Sequence, residues 1–206
     1  MKSSLLSVLA AGALAFAPSV AAAQADTLAT ADRAGIVRDL EQSNQHFQAA
    51  VSGLTPAQWN FKPGPTRWSI AEVSEHLALV EQGIGGMVKT GVKPIPAFSA
   101  DSAAKLEAAV RGLYGNRARK MNSPEGFVPT GRWATQAELM SAYDEARRSN
   151  LEYVRTTKDP VRARGADHAA FGGPIDAAHW LIVIGAHMER HLQQIEEVKR
   201  AEGYPR

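Results

Sequence analysis

A chain of 206 residues with 23 lysines and arginines against 21 acidic residues carries a formal charge of only +2, which argues against a nucleic-acid partner, since that would need a basic stripe. With no cysteine it can form no disulfide, offer no thiol nucleophile and carry no lipoprotein anchor. The length suits one domain held by its apolar core, with a metal ion as the remaining kind of clamp.

Residues 1–25 have the pattern of a secretory signal peptide. Lys2 supplies the early positive charge, an uncharged apolar run covers 5–17, and Ala23-Gln24-Ala25 is the small-x-small pattern that signal peptidase cleaves. The run is shorter than the roughly 20 residues needed to span a bilayer. Cleavage is expected to leave residues 26–206 as one domain in the periplasm or outside the cell. No later segment is apolar enough to hold that domain in a membrane.

The spacing of Ile36, Leu40, Phe47, Val51 and Leu54 predicts a first helix with one apolar face. Residues 54–68, with three prolines and two tryptophans, read as a loop or extended crossing that makes the first and second helices neighbours. The second helix opens on a capping box, Ser69 with Glu72, and its stripe runs Val73, His76, Leu77, Val80 and Ile84. Its glycine-rich end at Gly83, Gly85 and Gly86 predicts fraying. A long irregular crossover connection follows over 91–132, with a short helix expected near 103–113. A second capping box, Thr135 with Glu138, starts the third helix, which continues through Leu139, Tyr143, Ala146 and Leu151. After another connection, Pro174 suits the first turn of a last helix that runs to about Arg200. No segment alternates as a strand should, so the expected fold is all-α, a four-helix bundle.

The stripe of the last helix is Trp180, Ile184, His187, His191, Ile195 and Val198, so both histidines face the core. One buried histidine is readily satisfied by a carbonyl. Two on consecutive turns must place polar nitrogens in nearly the same spot, and His76 lies on the core stripe of the second helix. Three neutral imidazoles meeting in a bundle would hold a divalent metal and leave a fourth position open. Zinc comes first, with nickel and iron also accepted by imidazole. Of the other histidines, His179 and His46 are expected at the surface, and His168 in a loop away from the site. Glu75 and Glu189, off the stripes, are expected in solvent.

"RWSIAEVSEHLALVE", followed about 110 residues later by "HMERHLQQI", resembles the DinB-like (DinB/YfiT) superfamily over most of the chain. Leu54-Thr55 with Trp59, then Trp68-Ser69, match the family's exit from the first helix and start of the second. Gln194-Ile195 match the Gln-Ile that follows its final histidine pair. The resemblance implies a four-helix bundle with His76, His187 and His191 as ligands of a divalent metal near one end. It also implies metal-dependent thiol S-transferase or isomerase chemistry in some members. Leu192-Gln193 depart from the Arg-Gly that often stands there, and the low-molecular-weight thiols of those transferases are cytosolic, unlike an exported protein.

The functional expectation is therefore a metal-dependent enzyme, of hydrolase or S-transferase type, acting on a small molecule. Glu72 is the carboxylate best placed for a general base, although its capping role is the favoured explanation. Gln194 could orient water or substrate. Hydrophobic anchoring of their loop explains Trp59 and Trp68. A non-catalytic envelope protein, its metal closed by His179 or Glu72 as a fourth ligand, is the alternative from another class. Haem ligation ranks last, because an i, i+4 pair on one helix cannot supply opposite axial ligands. A homodimer is compatible with the pattern.

Overall fold

The structure, a computed structural model, describes residues 27–206; the leader expected over 1–25 and its cleavage site lie outside them. Helix α1 (Thr30–Val51) buries Ile36, Leu40, Phe47 and Val51, the face its spacing predicts. The segment after it is more ordered than a plain loop. Thr55 and Gln58 form a capping box that starts a short helix, α2 (Pro56–Asn60), and this helix buries Trp59.

The capping box of Ser69 and Glu72 opens α3 (Ile70–Gly86) as predicted. The glycine-rich end does not fray: the helix reaches Gly86 and continues as a widened turn over Met87–Gly91. Packing overrides propensity there. A Cβ on Gly85 would overlap the Asn150 amide, and one on Gly83 would overlap the Phe127 ring, so these glycines let neighbours approach the helix. Helix α4 (Ala100–Gly115) extends beyond the expected 103–113. Helix α5 (Gln136–Thr156) begins at the Thr135–Glu138 box.

The connections hold strands that periodicity did not reveal. β1 (Lys93–Pro94), β2 (Arg164–His168) and β3 (Gly173–Asp176) form an antiparallel sheet in that order. Strands of two to five residues are too short to display alternation. Pro174 belongs to β3 and not to the last helix; α6 (Ala177–Lys199) is capped by Asp176, whose carboxylate accepts the His179 N–H at 2.8 Å.

Four long helices, α1, α3, α5 and α6, make the bundle, as expected, and α4 packs against α6. Their contacts put α1 beside α5 and α6, and α3 beside the same two. Helices α1 and α3 thus stand diagonally and not as the neighbours their short connection suggested. Pairs of residues give the directions. Gln48 meets Asp144 and Glu41 meets Arg155, so α1 and α5 are antiparallel. Glu81 meets Arg147, and Lys89 meets Ser149, so α3 and α5 are parallel. Trp68 meets His191 and His76 meets His187, so α3 and α6 are antiparallel. Parallel neighbours α3 and α5 require the chain between them to return along the bundle, which is what the long crossover does. Buried apolar residues form two clusters. One is centred on Leu40, Ile84 and Leu181, the other on Phe47, Tyr143 and Ile195. Among the described residues, no helix is long and apolar enough to cross a membrane.

Candidate metal centre

His76 projects from the second turn of α3, and His187 and His191 from successive turns of α6. The antiparallel packing of these helices brings all three imidazoles together with their Nε2 atoms inward. His187 Nε2 lies 3.1 Å from His76 Nε2 and 3.1 Å from His191 Nε2. A tetrahedral ion with nitrogens at about 2.0–2.1 Å separates its ligands by about 3.3 Å, close to that spacing.

The outer nitrogens decide where the lone pairs are. His76 Nδ1 donates to the Phe127 carbonyl at 2.7 Å, and His191 Nδ1 donates to Gln194 Oε1 at 2.8 Å. Both rings therefore present a bare Nε2 to the centre while neutral. His187 Nδ1 is buried without a partner. At most one proton from His187 could sit among three inward nitrogens, so the group is short of positive charge.

The rings also resist protonation. Burial lowers His191 to about 3, helped by the nearby charge of His76. It holds His187 well below the usual imidazole range, with His191 and His76 adding repulsion. Burial likewise lowers His76, against the pull of the Phe127 carbonyl. Neutral, converging imidazoles in a group that could hold a metal ion fit a divalent cation.

The open side of the group faces a cavity of about 1090 Å³. Its inner wall includes Val80, Ile84, Phe127 and Val183, and its mouth includes Arg67, Arg117 and Lys120. Arg67 and Arg117 share the single carboxylate of Glu197, which leaves the mouth net positive. Trp68 is part of the wall, 5.1 Å from the His76 ring and stacked on His191 at 6.4 Å. Trp59 anchors its loop as expected, whereas Trp68 both packs against the core and lines the cavity.

The remaining expected residues fall in different places. Gln194 joins the site through His191. Glu72 does not: its carboxylate accepts the Ser69 N–H and pairs with Lys62 at 2.7 Å, completing the cap. Glu75 is not solvated. It is 5% exposed and accepts the backbone N–H groups of Thr130, Gly131 and Arg132, pinning the crossover to α3. His179 is fully buried, contrary to expectation, donating from one ring nitrogen to the Ala103 carbonyl and bonded to Asp176 by the other. His46 is half exposed and meets the equally exposed Glu189, both as expected.

His168 does reach the cavity, where its ring lies 3.0 Å from the hydroxyl of Tyr114. Burial pushes the Tyr114 phenol up to about 12, so it remains O–H at neutral pH. Tyr114 and Phe127 went unrecognised because they come from the crossover, where no periodicity marks an inward face. The only available signal was an aromatic residue at the glycine-flanked end of α4.

A sequence profile of the DinB superfamily matches residues 39–195. The uncharacterized protein YuaE of Bacillus subtilis (strain 168) is 27% identical over 149 residues, which cover 72% of this chain and 88% of YuaE. Among solved structures, YfiT from Bacillus subtilis is described as a probable metal-dependent hydrolase with an unusual four-helix bundle topology. It aligns with a TM-score of 0.53 at 15% identity, over 87% of this chain and 92% of that one. TT2238, a four-helix bundle protein, aligns with a TM-score of 0.48 at 22% identity, over 80% of this chain and 98% of that one.

Proposed function

The chain belongs to the DinB superfamily, and on that premise we propose that it is an exported, metal-dependent hydrolase of a small molecule, with His76, His187 and His191 holding the metal. The observation that carries this reading is the convergence of three Nε2 atoms whose outer nitrogens, on His76 and His191, are already committed as donors. Zinc is the first candidate, and nickel and iron suit the same ligands. When bound, the cation supplies Lewis acidity, which polarises a substrate oxygen and makes water nucleophilic near neutral pH. YfiT, described as a probable metal-dependent hydrolase, has a similar fold and supports hydrolysis over thiol transfer.

The chain's own residues then have separable tasks. Phe127 and Gln194 hold two imidazoles in the metal-binding tautomer. The apolar wall limits water in the cavity, and the cationic mouth favours substrates that carry negative charge. The structural alternative needs a fourth protein ligand. His179 and Glu72 are both committed elsewhere, and among the described residues the candidate group consists of the three histidines. Export rests on the leader pattern in the sequence.

Elemental analysis of protein purified from the periplasm, beside His76→Ala and His187→Ala, tests the assignment. One equivalent of metal is expected in the parent and less than a tenth of that in each variant. Equal metal in all three proteins would refute it. An intact-mass measurement on the same parent sample should give a chain that begins at Asp26.

A further inference from the structure

Beside the three histidines the cavity lining carries a second polar pair, Tyr114 with His168, that metal binding does not use. Tyr114 comes from the last turn of α4 and His168 from the end of β2; both are buried, and both line the cavity. The backbone partner of His168 fixes the direction of their contact. The Ala170 N–H points at His168 Nδ1 at 3.2 Å, so that nitrogen is an acceptor. A proton on Nδ1 would set two N–H groups head to head. In the neutral ring the proton is therefore on Nε2, which lies 3.0 Å from the Tyr114 hydroxyl oxygen. His168 donates and the phenol oxygen accepts. The phenol's own proton then meets no acceptor among the described residues. The Tyr114 ring also stands edge-on to His187, with ring centroids 5.6 Å apart, so this unspent donor borders the candidate metal ligands.

We propose that Tyr114 donates its O–H hydrogen bond to a carbonyl or carboxylate oxygen of the molecule held in the cavity, and that His168 is the positioning residue that aims it. Accepting the His168 N–H polarises the phenol and strengthens it as a donor, because consecutive hydrogen bonds reinforce one another. Ala170 orients His168, His168 orients Tyr114, and Tyr114 faces the ligand. The three-stranded insert thereby contributes to the site without supplying a metal ligand. The proposal rests on the hydrolase reading to the extent that this cavity is where substrate binds.

Two measurements on the mature chain test it. Imidazole 15N NMR, with the His168 signal identified by its loss in His168→Gln, should show a proton on Nε2 and a bare Nδ1. A proton on Nδ1 would overturn the proposal. Acetohydroxamate, which presents carbonyl and hydroxamate oxygens, is then titrated into the cobalt-loaded protein and followed by visible absorption. Tyr114→Phe should weaken its binding about tenfold while leaving cobalt uptake and the ligand-free spectrum unchanged. His168→Gln should weaken it by a smaller factor, since the phenol remains but is no longer aimed. Binding by Tyr114→Phe within twofold of the parent overturns the proposal. If the parent takes up no cobalt, the metal reading fails, and the NMR tautomer still decides whether the phenol proton is free.

Discussion

On the proposed metal site, Gln194 stands outside the ligand set and yet would govern affinity. Its Oε1 accepts from His191 Nδ1 at 2.8 Å and so holds the lone pair on the inward nitrogen. Gln194→Leu keeps most of the volume and removes the acceptor. Metal affinity should fall 10- to 100-fold, measured by competition with a chromophoric chelator, while the fold is retained. Glu72→Gln, by contrast, removes charge from a cap paired with Lys62 and should leave metal affinity unchanged. The three histidines were legible because each sits on a helical stripe whose apolar neighbours mark the inward face. Their spacing predicts the convergence that α3 and α6 provide. His168, Glu75 and Tyr114 were not legible in the same way, since their surroundings come from the sheet, the crossover and the bundle exterior, which meet only in three dimensions.

Among the elements, α3 carries the sharpest conflict between local preference and packing. Helix propensity alone says that Gly85→Ala should stabilise the protein by about 1 kcal/mol. The Asn150 amide, which donates to the Glu81 backbone carbonyl and carboxylate, occupies the place where that methyl group would go. Gly85→Ala should therefore destabilise the fold by about 1–3 kcal/mol in urea unfolding. A gain in stability would show that the parallel α3–α5 contact is looser than the structure has it. Close to the same place, burial raises the Glu81 carboxyl, against the attraction of Arg147, which also donates to Leu40 O and Ser43. A polar hub thus ties α1 and α5 to α3. Capping boxes at Ser69 and Thr135 made two helix starts readable to the residue. Helix neighbours were harder, because a short connection constrains distance between ends and says nothing of which diagonal the next helix takes.

At the scale of the molecule, three depressed imidazoles link stability to acidity. Unfolded histidines titrate near 6.5, while burial lowers all three in the fold, His191 to about 3. The unfolded chain therefore binds protons more readily below pH 6.5. The stabilising contribution is complete above that value and is lost as pH falls toward the folded values. The slope for the metal-free protein should reach about 1.4 kcal/mol per pH unit for each histidine. Denaturation midpoints of the metal-free protein between pH 7.5 and 4.5 should drop steeply below 6.5. The same series on a variant with His76, His187 and His191 all replaced by Gln should be flatter. A parent curve no steeper than the variant's would show that these rings titrate normally in the fold.

His76 and His187 touch across 111 residues of chain, from one bundle helix to the last. That separation matters for how a cell controls which ion enters. A protein threaded through a membrane as an unfolded polymer carries its imidazoles as isolated, weak binders, and its site comes into being only when the final helix docks. On the export reading, ion choice is then made by the inventory of the destination compartment and not by that of the cytosol. An identical chain retained at its place of synthesis could acquire a different metal without a single residue changing.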